Sequence, residues 1–307
     1  MPIPTSRTRE AGHISIDQDK CNGCGFCVEV CSDAGFTIIN GKAVVSNEQS
    51  VFGCIGCGHC MAICPRGAIQ VNGRHLSPDD LFPLPDKDSM ASYDALLNLY
   101  EHRRSIREFK DSPVDQELID KILRAAVTAP MGIPPSDVNV LILNGKDRVF
   151  QFSKDYCKFL ESLKWMVSPA GLVFMRIFYG KESGDMFRDF IKPLIIAYTE
   201  SMKKGEDIVM YNAPLALYFY GTPFTDPADP VIAATYAMHA AESLGLGTCM
   251  LGGIHPFIQS GGAAKKFREQ QGIRYKSREG LFLIIGYPKF KYQHGINRTF
   301  ANVDILN

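Results

Sequence analysis

Eight of the ten cysteines of this 307-residue chain fall within one short stretch of its N-terminal part. They form two copies of the pattern C-x2-C-x2-C-x3-C. The first copy is Cys21, Cys24, Cys27 and Cys31, and the second is Cys54, Cys57, Cys60 and Cys64. A disulfide framework is disfavoured because residues 1–16 are polar and lack the apolar segment of a secretory signal. Tetrahedral zinc is also disfavoured, because zinc sites usually take paired cysteines separated by a longer spacer.

The cysteine spacing instead predicts two 4Fe-4S clusters. Three thiolates at intervals of three residues along a tight loop bind three corners of one cluster, and the fourth cysteine of each run ligates the other cluster. The predicted ligand sets are Cys21, Cys24, Cys27 and Cys64 for one cluster, and Cys54, Cys57, Cys60 and Cys31 for the other. Glycines among the cysteines, such as Gly23 and Gly56, fit this prediction because the backbone must wrap closely around a cluster.

The two cysteine runs belong to an internal repeat with a period of 33 residues, the separation between Cys21 and Cys54. Each copy closes with an Asn-Gly pair, at positions 40–41 and 72–73, which predicts two hairpin turns. The segment 13–73 resembles a bacterial two-cluster ferredoxin domain. The resemblance implies a ferredoxin-like fold for this segment.

The composition excludes several classes of protein. Hydrophobic residues make up 46% and charged residues 21% of the chain, which is the balance of a folded globular protein. Lys plus Arg and Asp plus Glu both number 33, so the chain has no net charge to attract nucleic acid or an acidic membrane. The most apolar stretch, 165–179, is shorter than the roughly 20 residues that span a bilayer. We therefore expect a soluble, cytoplasmic protein with no nucleic-acid or membrane partner.

Beyond the cysteines, the pattern predicts a proline-rich connector, 74–91, followed by a second domain, 92–307. Apolar periodicity and turn residues delimit its elements. The predicted helices span 93–103, 113–128 and 227–244, and the predicted strands span 138–143, 215–220 and 281–285. Helices interleaved with a few strands indicate an α+β or α/β domain.

The strongest polar motif of this second domain is a basic run that ends its first helix, Arg103-Arg104-Ser105-Ile106-Arg107. Basic residues at a helix C-terminus complement the helix dipole and can simply be solvated. Alternatively, the alternate residues of an extended segment project to one side and together hold a phosphate or the polar edge of a cofactor. Spacing alone leaves both interpretations open. No phosphate-binding P-loop is present, and no complete dinucleotide fingerprint is present either.

Several motifs, in this order, resemble the FMN-dependent nitroreductase family over 92–307. They are the basic run followed by Pro113, the pair Ala213-Pro214 before a strand, the glycine-rich segment 245–253, and Gly-Tyr-Pro at 286–288 followed by Arg298. The resemblance implies a nitroreductase-type α+β flavin domain. It also implies a homodimer with FMN in the subunit interface.

The same resemblance implies which residues contact FMN. The basic run would hold the phosphate, the ribityl chain and the pyrimidine edge, while backbone groups of two glycine-containing loops and a late arginine complete the site. The implied residues are Arg103, Arg104, Ser105, Arg107, Met131, Gly132, Gly252, Gly253 and Arg298. No side chain is assigned as a catalytic acid.

Electron counting then predicts a function. Iron-sulfur clusters pass one electron at a time, whereas a flavin takes up one or two and releases a pair. We expect electrons to pass from the clusters to FMN and on to a small electrophilic substrate such as a nitro compound, a quinone or an activated alkene. Two alternatives stay open. In the first, NAD(P)H and not a ferredoxin reduces FMN directly, and the clusters store electrons. In the second, the protein is a non-enzymatic electron carrier or redox sensor.

Overall fold

The computed structural model describes residues 11–31, 35–46, 53–132 and 137–306. The chain divides into two compact units. The first unit contains Met1–Met90 with Pro130–Asn139 and Gly221–Asp229, and the second contains Ala91–Ala129, Val140–Tyr220 and Pro230–Asn307. Within the described ranges, no helix combines the length and the apolar character that crossing a membrane requires.

The cysteine-rich part of the first unit contains two small antiparallel sheets and two short helices. Its elements are β1 (His13–Ile16), α1 (Phe26–Val30), β2 (Gly35–Ile39), β3 (Lys42–Ser46), α2 (His59–Ile63) and β4 (Ile69–Asn72). Strand β1 pairs with β4, and β2 pairs with β3. Ile69 and Val71 of β4 are buried while the residues next to them are exposed, as expected for a strand with one covered face.

Left-handed backbone positions shape both cysteine loops. Helices α1 and α2 each begin directly after a glycine with a positive φ, Gly25 at 81° and Gly58 at 76°. Asn40 and Gly41, with φ of 50° and 73°, connect β2 to β3. A two-residue loop with positive φ at both positions is the turn that Asn-Gly favours, and the first predicted hairpin turn is therefore confirmed.

The second predicted hairpin turn is wrong. Asn72 is the last residue of β4 and pairs with β1, so it lies in the ladder and not in a turn. The loop falls at Arg74 and His75, whose φ values are 55° and 65°. Gly73 and Leu76 close it through two backbone hydrogen bonds of 3.0 Å. Strand pairing thus overrides the local preference of the Asn-Gly pair and moves the turn two residues along the chain.

The rest of the chain forms one four-stranded sheet and seven longer helices among the residues described. These elements are α3 (Tyr93–His102), α4 (Gln116–Ala126), β5 (Val138–Asn144), α5 (Lys146–Ser162), α6 (Pro169–Met186), α7 (Lys192–Lys203), β6 (Leu215–Gly221), α8 (Ala228–Ser243), β7 (Gly247–Leu251), α9 (Gly262–Gln270) and β8 (Gly280–Gly286). The strand order is β5-β6-β8-β7, and β8 runs antiparallel to both β6 and β7. The α+β fold class is therefore confirmed.

The predicted strands of the second domain include the buried centre of its sheet. Every residue of β6 is buried, and aromatic rings from three elements stack in the core: Tyr218 lies 4.0 Å from Phe282 and Phe152 lies 5.3 Å from Phe282, centroid to centroid. All three predicted strands and two predicted helices match observed elements. The helix predicted over 113–128 begins only at Gln116, because Val114 is buried in an extended segment before it. Strand β7 was not predicted.

Candidate cluster and flavin sites

The first three cysteines of the first run share a small cavity with the last cysteine of the second run. Cys21, Cys24, Cys27 and Cys64 line it together with apolar neighbours. The backbone amide of Ala43 donates to Cys21 Sγ at 3.3 Å, and the amide of Ala68 donates to Cys64 Sγ at 3.3 Å. Amide donors around thiolate sulfurs are the surroundings that tune iron-sulfur sites.

The other four cysteines form a second group. Burial raises the pKa of Cys60 to about 12, and the thiols of Cys54, Cys31 and Cys57 add to this shift. Burial also raises the pKa of Cys54, with smaller contributions from Cys57 and Cys31. Cys31, which belongs to the first run, therefore lies among the thiols of the second run.

The two groups differ in electrostatics. Amide hydrogen bonds from Ala43 and Gly23 lower the pKa of Cys21, and the ammonium group of Lys42 contributes in the same direction. Lys42 Nζ donates to the carbonyl oxygens of Gln18 at 2.7 Å and Cys21 at 2.6 Å. Cys21 is thus prepared to be a thiolate, whereas burial raises the pKa of Cys27 in the same group and of Cys54 and Cys60 in the second, so these thiols require the charge of a bound metal to ionise.

The donor set fits clusters better than single metal ions. Across the described ranges, no three His, Cys, Asp or Glu side chains are arranged to hold one metal ion. A 4Fe-4S cluster places one thiolate on each of four irons, so its ligands stand farther apart than the ligands of a single ion. At Gly23 there is room only for backbone, since a Cβ there would collide with the carbonyl oxygen of Gly41.

The basic run predicted to bind FMN leaves α3 and runs alongside β7. Ile106 N donates to the carbonyl oxygen of Thr248 at 2.8 Å, and Ser105 pairs with Thr248 in a parallel bridge. Ile106 is buried, and a Cβ on Gly247 would lie 2.6 Å from its side chain. Its neighbours Ser105 and Arg107 are exposed. The alternation of an extended segment therefore turns these two side chains away from the core.

Tyr211 is a neighbour of this run that the sequence did not reveal. Its ring lies 5.6 Å from the guanidinium of Arg107, within cation–π range. Tyr211 and Asn212 both have positive φ, 58° and 51°. The buried carboxylate of Asp207 accepts backbone hydrogen bonds from Met210 N at 2.9 Å and Asn212 N at 3.2 Å, and burial raises its pKa. Asp207 thus stabilises an unusual turn that presents the ring to Arg107.

Arg104 occupies a different place from its neighbours. Its Nη1 donates to the carbonyl oxygens of Glu101 at 2.6 Å and Arg103 at 2.7 Å. It lines a cavity of about 370 Å³ with three lysines that the sequence did not single out, Lys110, Lys289 and Lys291. Lys289 and Lys291 alternate directly after the Gly-Tyr-Pro motif, and this spacing is the signal that could have found them. Four cations around one cavity suit an anionic group such as a phosphate.

The remaining predicted flavin residues have fewer described contacts. Gly252 and Gly253 follow β7, and a Cβ on either would meet nothing within 4 Å among the residues described, so both border open space. The Gly132 amide donates to Asp229 Oδ1 at 3.0 Å. Met131 is half-buried, and Arg298 lies in an exposed C-terminal segment.

The two cysteine groups indicate an iron-sulfur domain, and the basic run lies beside the sheet of an α+β domain. The protein therefore joins an iron-sulfur domain to an α+β domain. A sequence model of the nitroreductase family matches residues 100–287, and a model of the 4Fe-4S dicluster domain matches residues 14–71. The chain belongs to the nitroreductase family and carries an N-terminal 4Fe-4S dicluster domain.

Individual relatives match one domain each. The FMN reductase [NAD(P)H] of Bacillus subtilis (strain 168) is 29% identical over 163 residues, which are 52% of this chain and 55% of the relative. Ferredoxin-2 of Desulfomicrobium norvegicum is 52% identical over 31 residues, which are 10% of this chain and 52% of the relative. The chain spans about half the length of these curated relatives.

Solved structures of similar fold include two nitroreductases. The nitroreductase with bound FMN from Desulfitobacterium hafniense DCB-2 is 20% identical, covers 68% of this chain and 97% of its own, and has a TM-score of 0.47. The FMN-dependent nitroreductase from Clostridium difficile R20291 is 22% identical, covers 67% of this chain and 99% of its own, and has a TM-score of 0.43.

Proposed function

We propose that this protein is an FMN-dependent oxidoreductase in which two 4Fe-4S clusters feed electrons to FMN for the reduction of a small electrophilic organic compound. The observation that carries the proposal is the exchange of cysteines between the two runs. Cys64 joins the first three cysteines, and Cys31 joins the second three, in a chain whose larger part belongs to the nitroreductase family. Two interleaved thiolate sets are the arrangement of a two-cluster electron carrier.

The chain's own groups have distinct parts in this function. The amides of Ala43 and Ala68 orient and stabilise thiolates, and the positive φ of the loop glycines lets the backbone turn tightly between the cysteines. At the flavin domain, exposed Ser105 and Arg107 offer a hydroxyl and a guanidinium for the phosphate and polar edge of FMN. FMN, when bound, supplies the conversion between one-electron and two-electron chemistry.

We assign the cluster domain to 13–73, the connector to 74–91 and the flavin domain to 92–307. One boundary between the compact units falls after Met90, next to the end of the assigned connector, while Pro130–Asn139 and Gly221–Asp229 are grouped with the first unit. The C-terminal segment exposes large apolar side chains, among them Phe290, Phe300 and Leu306, which would be unfavourable in a monomer. This exposure supports a homodimer in which each copy covers the C-terminal segment of the other.

NAD(P)H as a direct donor to FMN is the second candidate. One curated relative is by name an FMN reductase that uses NAD(P)H. The cavity of Arg104, Lys110, Lys289 and Lys291 offers cations to the phosphates of such a donor. If NAD(P)H is the donor, the clusters store electrons, and the substrate is still a small electrophilic organic compound.

A variant that lacks cluster ligands distinguishes electron entry through the clusters from direct reduction of FMN by NAD(P)H. Anaerobic stopped-flow mixing of NADH, NADPH or reduced ferredoxin with the holoprotein, watched at the cluster and flavin bands separately, shows which group is reduced first. In a Cys54→Ser, Cys57→Ser variant that retains FMN, the proposal expects loss of ferredoxin-driven turnover and retention of any NAD(P)H-driven turnover. Retention of both activities would exclude the clusters as the entry for electrons.

The flavin half of the proposal has its own test. Changing Arg107 to Ala removes a charge-assisted contact worth about 1.5–3 kcal/mol, so we expect the affinity for FMN to fall by about ten- to a hundred-fold. Arg124→Ala, which removes an exposed arginine from α4, serves as the matched control and leaves the affinity unchanged. Fluorescence titration of the apoprotein with FMN measures both, and equal affinities would place FMN away from Arg107.

A further inference from the structure

Arg74 lies outside both cysteine runs, in the turn that follows the second. With a period of 33 residues, the Asn40-Gly41 turn of the first repeat corresponds to positions 73 and 74 of the second. The second repeat therefore carries an arginine where the first carries a glycine. Arg74 has a φ of 55°, a conformation that costs a residue with a side chain about 1–2 kcal/mol and glycine almost nothing. Strain of this kind is retained where the surrounding structure or a function requires the side chain.

The Arg74 side chain lies within the second cysteine group. Only 5% of the residue is exposed. A Cβ on Gly56, between Cys54 and Cys57, would lie 3.4 Å from the Cβ and Cδ atoms of Arg74. The positive charge of Arg74 also lowers the pKa of Cys54, against the larger effect of burial. The aliphatic part of the Arg74 side chain is thus held against the loop that supplies three of the four cysteines of this group, and its charge acts on Cys54.

The first cysteine group has no equivalent of this buried cation among the residues described. Its nearest cation, Lys42, is half-buried and donates to the carbonyl oxygens of Gln18 and Cys21. Solvent reaches Lys42 and screens its charge, whereas a charge in the protein interior acts over a lower effective dielectric constant. The cation beside the second group is therefore less exposed to solvent than the cation beside the first.

We propose that Arg74 raises the reduction potential of the second cluster and offsets the penalty that partial burial places on its reduced form. This inference rests on the proposed function, because it requires that both thiolate sets hold clusters. Reduction adds one electron, and therefore one negative charge, to a cluster that its four thiolates already make anionic. Burial disfavours that added charge, and a nearby cation stabilises it. The two effects oppose each other, and Arg74 is the residue that keeps the second cluster reducible.

The test is a redox titration of anaerobically purified holoprotein with dithionite, followed by electron paramagnetic resonance. The signal that disappears in a Cys60→Ser variant identifies the second cluster. Arg74→Gln should move the midpoint potential of that cluster to a more negative value and leave the first cluster unchanged. Arg74→Lys, which keeps the charge, should have a midpoint potential close to that of the wild type. Arg66→Gln, which removes an exposed arginine from the same repeat, should move neither midpoint.

Arg74→Gly guards against a folding defect, because glycine favours the positive φ of this position, and it should lower the same midpoint. Unchanged midpoints in both Arg74→Gln and Arg74→Gly would overturn the inference, as would an equal shift in Arg66→Gln. Iron analysis separates this failure from failure of the proposed function. About eight irons per chain with unchanged midpoints reject only the role of Arg74, whereas absence of iron after reconstitution rejects the clusters themselves.

Discussion

The two cysteine repeats have the same cysteine spacing but build different surroundings for it. In the first, amide donors lower the pKa of Cys21 and Cys24 is exposed. In the second, burial raises the pKa of Cys60 to about 12 and Arg74 lies in the turn that closes the repeat. Sequence repeats therefore reproduce ligands without reproducing electrostatics, because the field at each group comes from residues outside the repeated motif.

The difference extends to how each loop packs on its turn. Gly23 and Gly56 occupy equivalent positions and have nearly the same φ, 69° and 68°. The space for a Cβ at Gly23 is taken by the backbone of Gly41, whereas at Gly56 it borders the side chain of Arg74. The first loop is backed by rigid backbone and the second by a flexible side chain. Three predictions test this comparison.

The largest expected effect is the loss of a ligand from each group. Both Cys60→Ser and Cys24→Ser should lower the iron content from about eight to about four per chain, because each removes a ligand of one cluster. Cys60→Ser should also lower the thermal midpoint more, because it places a hydroxyl in a buried site at a cost of about 1–3 kcal/mol, whereas Cys24 is exposed. Iron analysis and anaerobic calorimetry measure the two effects, and equal thermal midpoints would contradict the difference in burial.

An intermediate effect is expected at the paired loop glycines. Gly23→Ala and Gly56→Ala incur the same backbone strain, but only the first also collides with backbone, so it should cost a further ~1–3 kcal/mol. At Gly56 the contact of 3.4 Å is ordinary, and the arginine side chain can shift. Chemical denaturation of the two variants, compared with wild type, checks the order. A larger loss at Gly56 would show that Arg74 is as rigid as the Gly41 backbone.

The smallest effect concerns the turns themselves. Gly41→Ala introduces a side chain at a φ of 73° and should destabilise the protein by about 1 kcal/mol, whereas His75→Gly removes an exposed side chain from a φ of 65° and should stabilise it by a similar amount. The two changes should therefore shift the denaturation midpoint in opposite directions. Shifts of the same sign would mean that His75 makes a stabilising contact that outweighs its strain.

Local patterns were sufficient for much of the fold. Apolar runs located three strands of the second domain, and the burial of Ile106 between exposed Ser105 and Arg107 agrees with the extended-segment alternative for the basic run. The family and the fold class also followed from the order of short motifs. The strands and the alternation depend on neighbours within a few residues, which is the range over which periodicity carries information.

Contacts between distant residues were beyond that range. The second turn moved to Arg74 and His75 because β4 pairs with β1 over its full length. The proximity of Tyr211 to Arg107 depends on a turn more than a hundred residues away from the basic run, and the lysines around Arg104 come from two further segments. The proximity of Tyr211 to Arg107 leaves no periodic signal in the chain, and the alternation of Lys289 and Lys291 does not reveal that they lie near Arg104.

By itself the sequence determined the cysteine spacing, the glycines that let loops wrap around clusters, and the membership of both domains in known families. Only the tertiary structure decided which residues surround each thiolate group, since burial and charge are set by strands and turns brought together from separate parts of the chain. Spacing specifies which atoms can bind a cluster. The field at those atoms depends on what packs behind them, and Arg74 lies behind one group while the backbone of Gly41 lies behind the other.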